Sequence, residues 1–174
     1  VWGKSQKIDI PEDGVVIDIF TIDFPQNITQ VHFIKLRLFD TKGKEVANTF
    51  YWRSNDKYEG RKTLTGPTSS GFEDLSKLKQ VQLKTRYQTY QEGDRHFIKA
   101  EIKNPSSTVA FFTQLQLLGQ DKKPVRPSFY TDNFFSLLPG ESKTVIIETA
   151  ASDMPSEPTF VVKGWNIKPS SFKL

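Results

Sequence analysis

At 174 residues with no cysteine, the chain could form one large domain or two small ones, and it excludes a disulfide framework, a thiolate metal site and a thiol nucleophile. Hydrophobic residues make up 36% and aromatics 13%, enough for packed cores and well outside the disordered class. The net charge of +4 is scattered as single Lys and Arg residues among acids, which predicts a solvated basic surface and no nucleic-acid footprint.

The chain opens in strand-like sequence at Val1 without a signal-like segment, which suggests a fragment or a processed product. No apolar run approaches the ~18 residues of a membrane-spanning helix. Val1–Asp9 reads as a weak strand, stopped by Pro11-Glu12-Asp13-Gly14, and Val15–Phe24 is a dense β-branched run. Val31–Phe39 alternates, with Ile34, Leu36 and Leu38 on one side and Lys35 and Arg37 on the other, the pattern of a half-buried strand. Asp40–Lys44 supplies a hairpin turn and Glu45–Arg53 the returning strand. Four strands and no helix predict an antiparallel sheet short of the about seven strands of a full sandwich. Residues 1–56 are therefore expected to be a partial immunoglobulin-like β domain. Its uncovered apolar side (Ile17, Ile19, Ile34, Leu36, Leu38) is expected to drive self-association through residues 1–53, or docking onto the second domain.

Periodicity vanishes after Ser54, and residues 57–71 read as a linker. Phe72–Leu78 predicts one short helical turn. Residues 72–174 then fall into strand-sized pieces: Val81–Tyr90, His96–Lys103, Val109–Leu118, the Asp132–Ile147 segment and a closing strand Thr159–Trp165. Seven or so short strands without a helix predict a complete, antiparallel, immunoglobulin-like β-sandwich, so the fold class is all-β.

The Asp132–Ile147 segment reads as a hairpin. In Leu138-Pro139-Gly140-Glu141, Pro presets the first corner and Gly tolerates positive φ at the second. Phe134 and Phe135 before the turn are expected to anchor the core, one face of Phe134–Leu138 lying between sheets with Trp165 nearby.

For chemistry the chain offers little. His32 and His96 fall in separate domains with no partner at ligand spacing, so no metal site, catalytic residue or cofactor is expected. The acid pairs Glu12-Asp13, Glu73-Asp74 and Glu92/Asp94 fall in turns or the linker, where solvation accounts for them. Aromatics are the one feature suited to a ligand, since sugar rings stack their C–H faces on them. Trp52, Tyr58, Phe129, Tyr130 and Trp165 are the candidates; Trp52 and Trp165 read first as core or interface residues. Tyr130, Asp132 and Asn133 in a loop before a strand read as turn-forming residues, with contact to the rim of a glycan site as the functional alternative.

Tyr130–Ser142, Gly164-Trp165-Asn166, Asn48–Ser54 and Pro67–Leu75 together resemble, in the same order, the C-terminal end of family 2 glycoside hydrolases. Within that family they are most similar to the branch of exo-β-D-glucosaminidases and mannosylglycoprotein β-mannosidases. The resemblance implies a non-catalytic accessory region whose partner is a preceding catalytic (β/α) barrel, which carries the glutamates and hydrolyses terminal β-mannosides or β-glucosaminides with retention. A periplasmic or secreted parent is compatible with it. A free-standing carbohydrate-binding module and an extracellular structural repeat are the alternatives; the repeat would require self-similarity between the halves.

Overall fold

The computed structural model describes residues 2–55 and 71–174, so Tyr58 and nearly all of the expected linker lie outside the described residues. Ten strands are present among them. β1 (Val31–Phe39) and β2 (Glu45–Ser54) form an isolated antiparallel ribbon. The other eight are β3 (Lys84–Glu92), β4 (Arg95–Lys103), β5 (Ala110–Leu118), β6 (Phe129–Tyr130), β7 (Phe135–Leu137), β8 (Ser142–Ala150), β9 (Thr159–Gly164) and β10 (Ile167–Lys173). They make two four-stranded antiparallel sheets, ordered β3-β4-β8-β6 and β10-β9-β5-β7.

Period-two patterning builds the core between them. Ile98, Ala100 and Ile102 of β4 and Val145 and Ile147 of β8 face Leu115 and Leu117 of β5 and Phe160 and Val162 of β9, all buried. The all-β sandwich expected from the sequence is thus present, preceded by the single 3₁₀ turn Glu73–Lys77.

Several expectations need correction. Asp132–Ile147 is no hairpin: β7 pairs with β5, whereas β8 pairs with β4 in the opposite sheet. Leu138–Glu141 is therefore a corner between sheets. Its local geometry is as expected, with Gly140 at φ +81 and the Glu141 N–H donating to the Leu138 carbonyl (3.1 Å). Alternation within β7 buries Phe135 and Leu137, while Phe134, just before the strand at φ +57, turns outward and is 51% exposed. The Trp165 ring lies beside Phe111 and is 58% exposed, so it is not a wall of the sandwich core.

The chain also adds an edge strand after Trp165. Pro169 and the serine pair of β10 hide it in the sequence, and the pairing with β9 shifts between Ile167 and Ser170, as a proline in an edge strand requires. At the other end, Val1–Asp9 and Val15–Phe24 are not strands among the described residues. A strand needs a ladder partner, and β1 and β2 have only each other.

The ribbon docks by the face opposite to the one expected. Phe33 and Lys35 of β1, with Phe50 and Trp52 of β2, point at the sandwich, while Leu36, Leu38 and Tyr51 are each more than 40% exposed.

Phe160 is the largest fully buried side chain. Phe160→Ala is expected to lower the unfolding free energy by about 3–5 kcal/mol, while Phe134→Ala should stay within about 0.5 kcal/mol. Urea unfolding distinguishes them, and equal losses would return Phe134 to the core.

Candidate functional site

The ribbon and the sandwich meet across a cleft of about 640 Å³. Its shape originates in β5. Between Ala110 and Thr113 the pairing with β7 shifts, so both residues point into the sandwich core and Phe111 and Phe112 are left over as a bulge. Phe111 swings out of the main core and is buried with Val31 and Leu75, against Phe33 and Phe50. Phe112 takes φ +58 and stays 40% exposed.

The Gly164-Trp165-Asn166 motif holds that bulge. The Phe111 N–H donates to Asn166 Oδ1 (2.8 Å), and Asn166 Nδ2 donates to the carbonyls of Val109 (2.8 Å) and Lys79 (2.9 Å). The Trp165 N–H donates to the Phe111 carbonyl (3.0 Å), and the indole Nε1–H to the Leu75 carbonyl (2.8 Å). A Cβ on Gly164 would come within 2.9 Å of the Phe112 carbonyl oxygen, so no larger residue fits there.

One side of the cleft is aromatic. Trp52 meets Phe111 (5.3 Å between centroids) and Phe112 (6.2 Å), and Phe112 meets Phe134 (5.5 Å). Phe134, like Phe112, sits at positive φ (+57). Left-handed backbone at a bulky residue costs on the order of 1–3 kcal/mol, and here it keeps two rings partly in solvent.

The other side is charged, and its charges are paired. Lys35 Nζ donates to both oxygens of Glu141 (2.9 and 2.8 Å), and Glu141 Oε2 also accepts the Leu138 N–H (2.8 Å). Arg37 lies 3.7 Å from Glu45, and Lys143 pairs with Asp132. Every carboxylate of the cleft therefore faces a cation, the reverse of the free carboxylate pair that glycoside hydrolysis uses.

The structure divides the loop residues flagged from the sequence. Asp132 and Asn133 line the cleft, whereas Tyr130 lines a separate hollow of about 210 Å³ that it shares with Asn133. The Tyr130 hydroxyl accepts the Leu117 N–H (2.9 Å), and burial pushes its phenol above the ordinary range. Asn133 bonds both main-chain groups of Leu115 (2.8 and 3.0 Å). These two thus act on β5, while Asp132 keeps an exposed edge. Phe129 lies under the Arg95 guanidinium on the far sheet.

Neither histidine gathers ligands, and among the described residues no group of His, Asp and Glu could hold a metal. Both His32 ring nitrogens are shielded from solvent without a hydrogen bond. That burial, aided by the Arg53 charge, holds its pKa below the ordinary value against an opposing pull from the Thr29 backbone. Lys35, Arg37, Phe112, Ser136, Glu141 and Lys143 also line the cleft, and none of them reads as a site residue in the sequence. The signal available was the cationic side of the Val31–Phe39 alternation, which read as the solvent face.

These features define a β-sandwich of immunoglobulin type with a docked ribbon. Residues 63–167 match the family described as the exo-β-D-glucosaminidase Ig-fold domain, and the chain belongs to that family. It is 30% identical over 149 residues to the exo-β-D-glucosaminidase of Streptomyces avermitilis, covering 80% of this chain and 16% of that protein. To the exo-β-D-glucosaminidase of Amycolatopsis orientalis it is 27% identical over 164 residues, covering 88% and 16%. The crystal structure of A. orientalis exo-chitosanase CsxA superposes with a TM-score of 0.77 at 22% identity, over 90% of this chain and 20% of that one, a likeness of fold. The chain thus spans 16% of the length of the relatives it matches.

The Lys35 side chain is only 14% exposed and that of Glu141 20%. Glu141→Gln leaves Lys35 without its counter-charge and is expected to lower stability by about 1–3 kcal/mol. Adding Lys35→Met should recover part of that loss, although Lys35→Met alone destabilises. Strictly additive losses in a urea double-mutant cycle would show that the pair contributes nothing.

Proposed function

We propose that this chain is a non-catalytic accessory region of a family 2 glycoside hydrolase that acts on terminal β-glucosaminides. It packs against the enzyme's catalytic barrel and shapes one wall of its glycan cleft. The names carried by the relatives support the glucosaminide over the β-mannoside within the resemblance. The observation that carries the accessory reading is the state of the acids. Glu45, Asp132 and Glu141, the carboxylates of the cleft, are each neutralised by a cation of the same chain. A general acid and a nucleophile need carboxyls left free to exchange protons or attack.

Purified chain is expected to release no aryl alcohol from aryl β-glucosaminides, β-mannosides or β-glucosides. Turnover that survives purification and disappears in Glu141→Gln or Asp132→Asn would overturn this reading.

The outward ribbon face carries a second proposal. Leu36, Leu38 and Tyr51 of the ribbon, like Val15 and Ile17 before it, are exposed apolar residues, and a contiguous patch of that kind favours association. In the isolated chain this face pairs with a second copy. Light scattering is expected to report a concentration-dependent dimer that Leu36→Lys/Leu38→Lys returns to monomer. A wild-type monomer at high concentration would count against it.

A further inference from the structure

We propose that the cleft between ribbon and sandwich binds a β-linked oligosaccharide carrying little net charge. The sugar class rests on the accessory reading above; the binding site itself rests on geometry. Two phenylalanines in different segments, Phe112 in the β5 bulge and Phe134 before β7, both hold left-handed backbone, and both present half-exposed rings to the same cleft. Neither strain is explained by burial, since Phe135 and Leu137 fill the adjoining core and Phe111 fills the ribbon interface. Residues held in sparsely populated backbone conformations cluster at ligand-binding sites. With Trp52 the rings form a continuous row, the apolar side that the C–H face of a pyranose requires.

The opposing wall favours the same ligand. Its cations and carboxylates are paired with one another, which disfavours a strongly charged ligand, since binding one would mean breaking a pair. What remains for recognition is hydroxyl and amide chemistry. Ser136 Oγ accepts the Phe112 N–H (3.2 Å) and retains its own hydrogen to donate, directly beside the ring row. Asp132 presents its outer edge at the rim. A concave space of this size lies within the range of small-molecule sites, and its concavity favours a threaded glycan over a flat protein surface.

The test uses the chain itself. Cellotetraose, the N-acetylglucosamine tetrasaccharide and α-linked maltotetraose are titrated into labelled protein at millimolar concentration, with the Trp52 indole resonance as the reporter. Saturable shifts are expected with at least one β-linked tetrasaccharide and weaker ones with maltotetraose. Phe134→Ala should weaken binding by about tenfold, the loss of one well-placed aromatic contact, with thermal unfolding unchanged. Ser136→Ala provides a second variant with the ring row intact and should also weaken binding. No saturable binding of either β-linked sugar, or binding that both variants leave intact, overturns the proposal. So does protection of Trp52 by another domain in the full-length protein, since the cleft would then be a protein interface. Each of these outcomes leaves the accessory reading standing, which fails only if the chain hydrolyses glycosides.

Discussion

Everything that distinguishes this chain from a plain sandwich depends on Asn166 holding the β5 bulge open. A one-residue excess in a central strand, with Phe111 and Phe112 both opposite Ser136, leaves main-chain groups without ladder partners, and unpaired groups of that kind are costly when buried. Asn166, itself buried, answers the Phe111 N–H with its carbonyl oxygen and uses its amide to tie down Val109 and Lys79. Trp165 takes the Phe111 carbonyl, and Gly164 leaves room for the strand to pass. With those bonds made, the bulge is a stable feature, and it aims Phe111 at the ribbon and Phe112 at the cleft. Without them, regular pairing would put one of these rings into a core already filled by Leu115, Leu137 and Phe160.

A second fastening acts on the same interface with different physics. Glu141 closes the Leu138–Glu141 corner through the Leu138 N–H and grips Lys35 with both oxygens, so one carboxylate couples the sheet-to-sheet corner to the ribbon. Asn104 secures that corner from the other side, accepting the Gly140 N–H on its carbonyl and donating from its side chain to the Leu137 carbonyl. The apolar clasp at Phe111 and the ionic one at Glu141 engage neighbouring positions of the ribbon's docked face, Phe33 and Lys35. Together they orient the two units more firmly than either contact could alone.

Much of the sandwich was legible because its strands obey simple periodicity. His96–Lys103 and Val109–Leu118 show their buried faces outright, and the Pro139-Gly140 corner shows its turn type. What stayed hidden was pairing, which is non-local. A turn between two apolar runs looks like a hairpin whether its strands join one sheet or two, so the separation of β7 from β8 left no local trace. The ribbon misled for a different reason. Leu36 and Leu38 are more apolar than Lys35 and Arg37, yet the cationic side is the docked one, because Glu141 stands ready to receive it. Val15–Phe24 has strong β propensity but no ladder partner among the described residues, and propensity without a partner does not make a strand.

The same reasoning explains why the cleft lay beyond sequence reading. Its parts come from the ribbon, the β5 bulge, the loop before β7 and β8, and no spacing in the chain brings them together. The flagged loop residues were near it for a structural reason: Asn133 bonds Leu115 on β5 through its side chain, and its Oδ1 also accepts the Phe134 N–H (3.0 Å). That bond holds Phe134 in its left-handed turn, so Asn133, read first as a turn-forming residue, presents the ring. In the ribbon, Trp52 reaches the same row from β2, where it sits opposite Phe33. Strand register, bulge and turn thus converge on one surface, and it is their agreement, more than any single side chain, that forms the cleft.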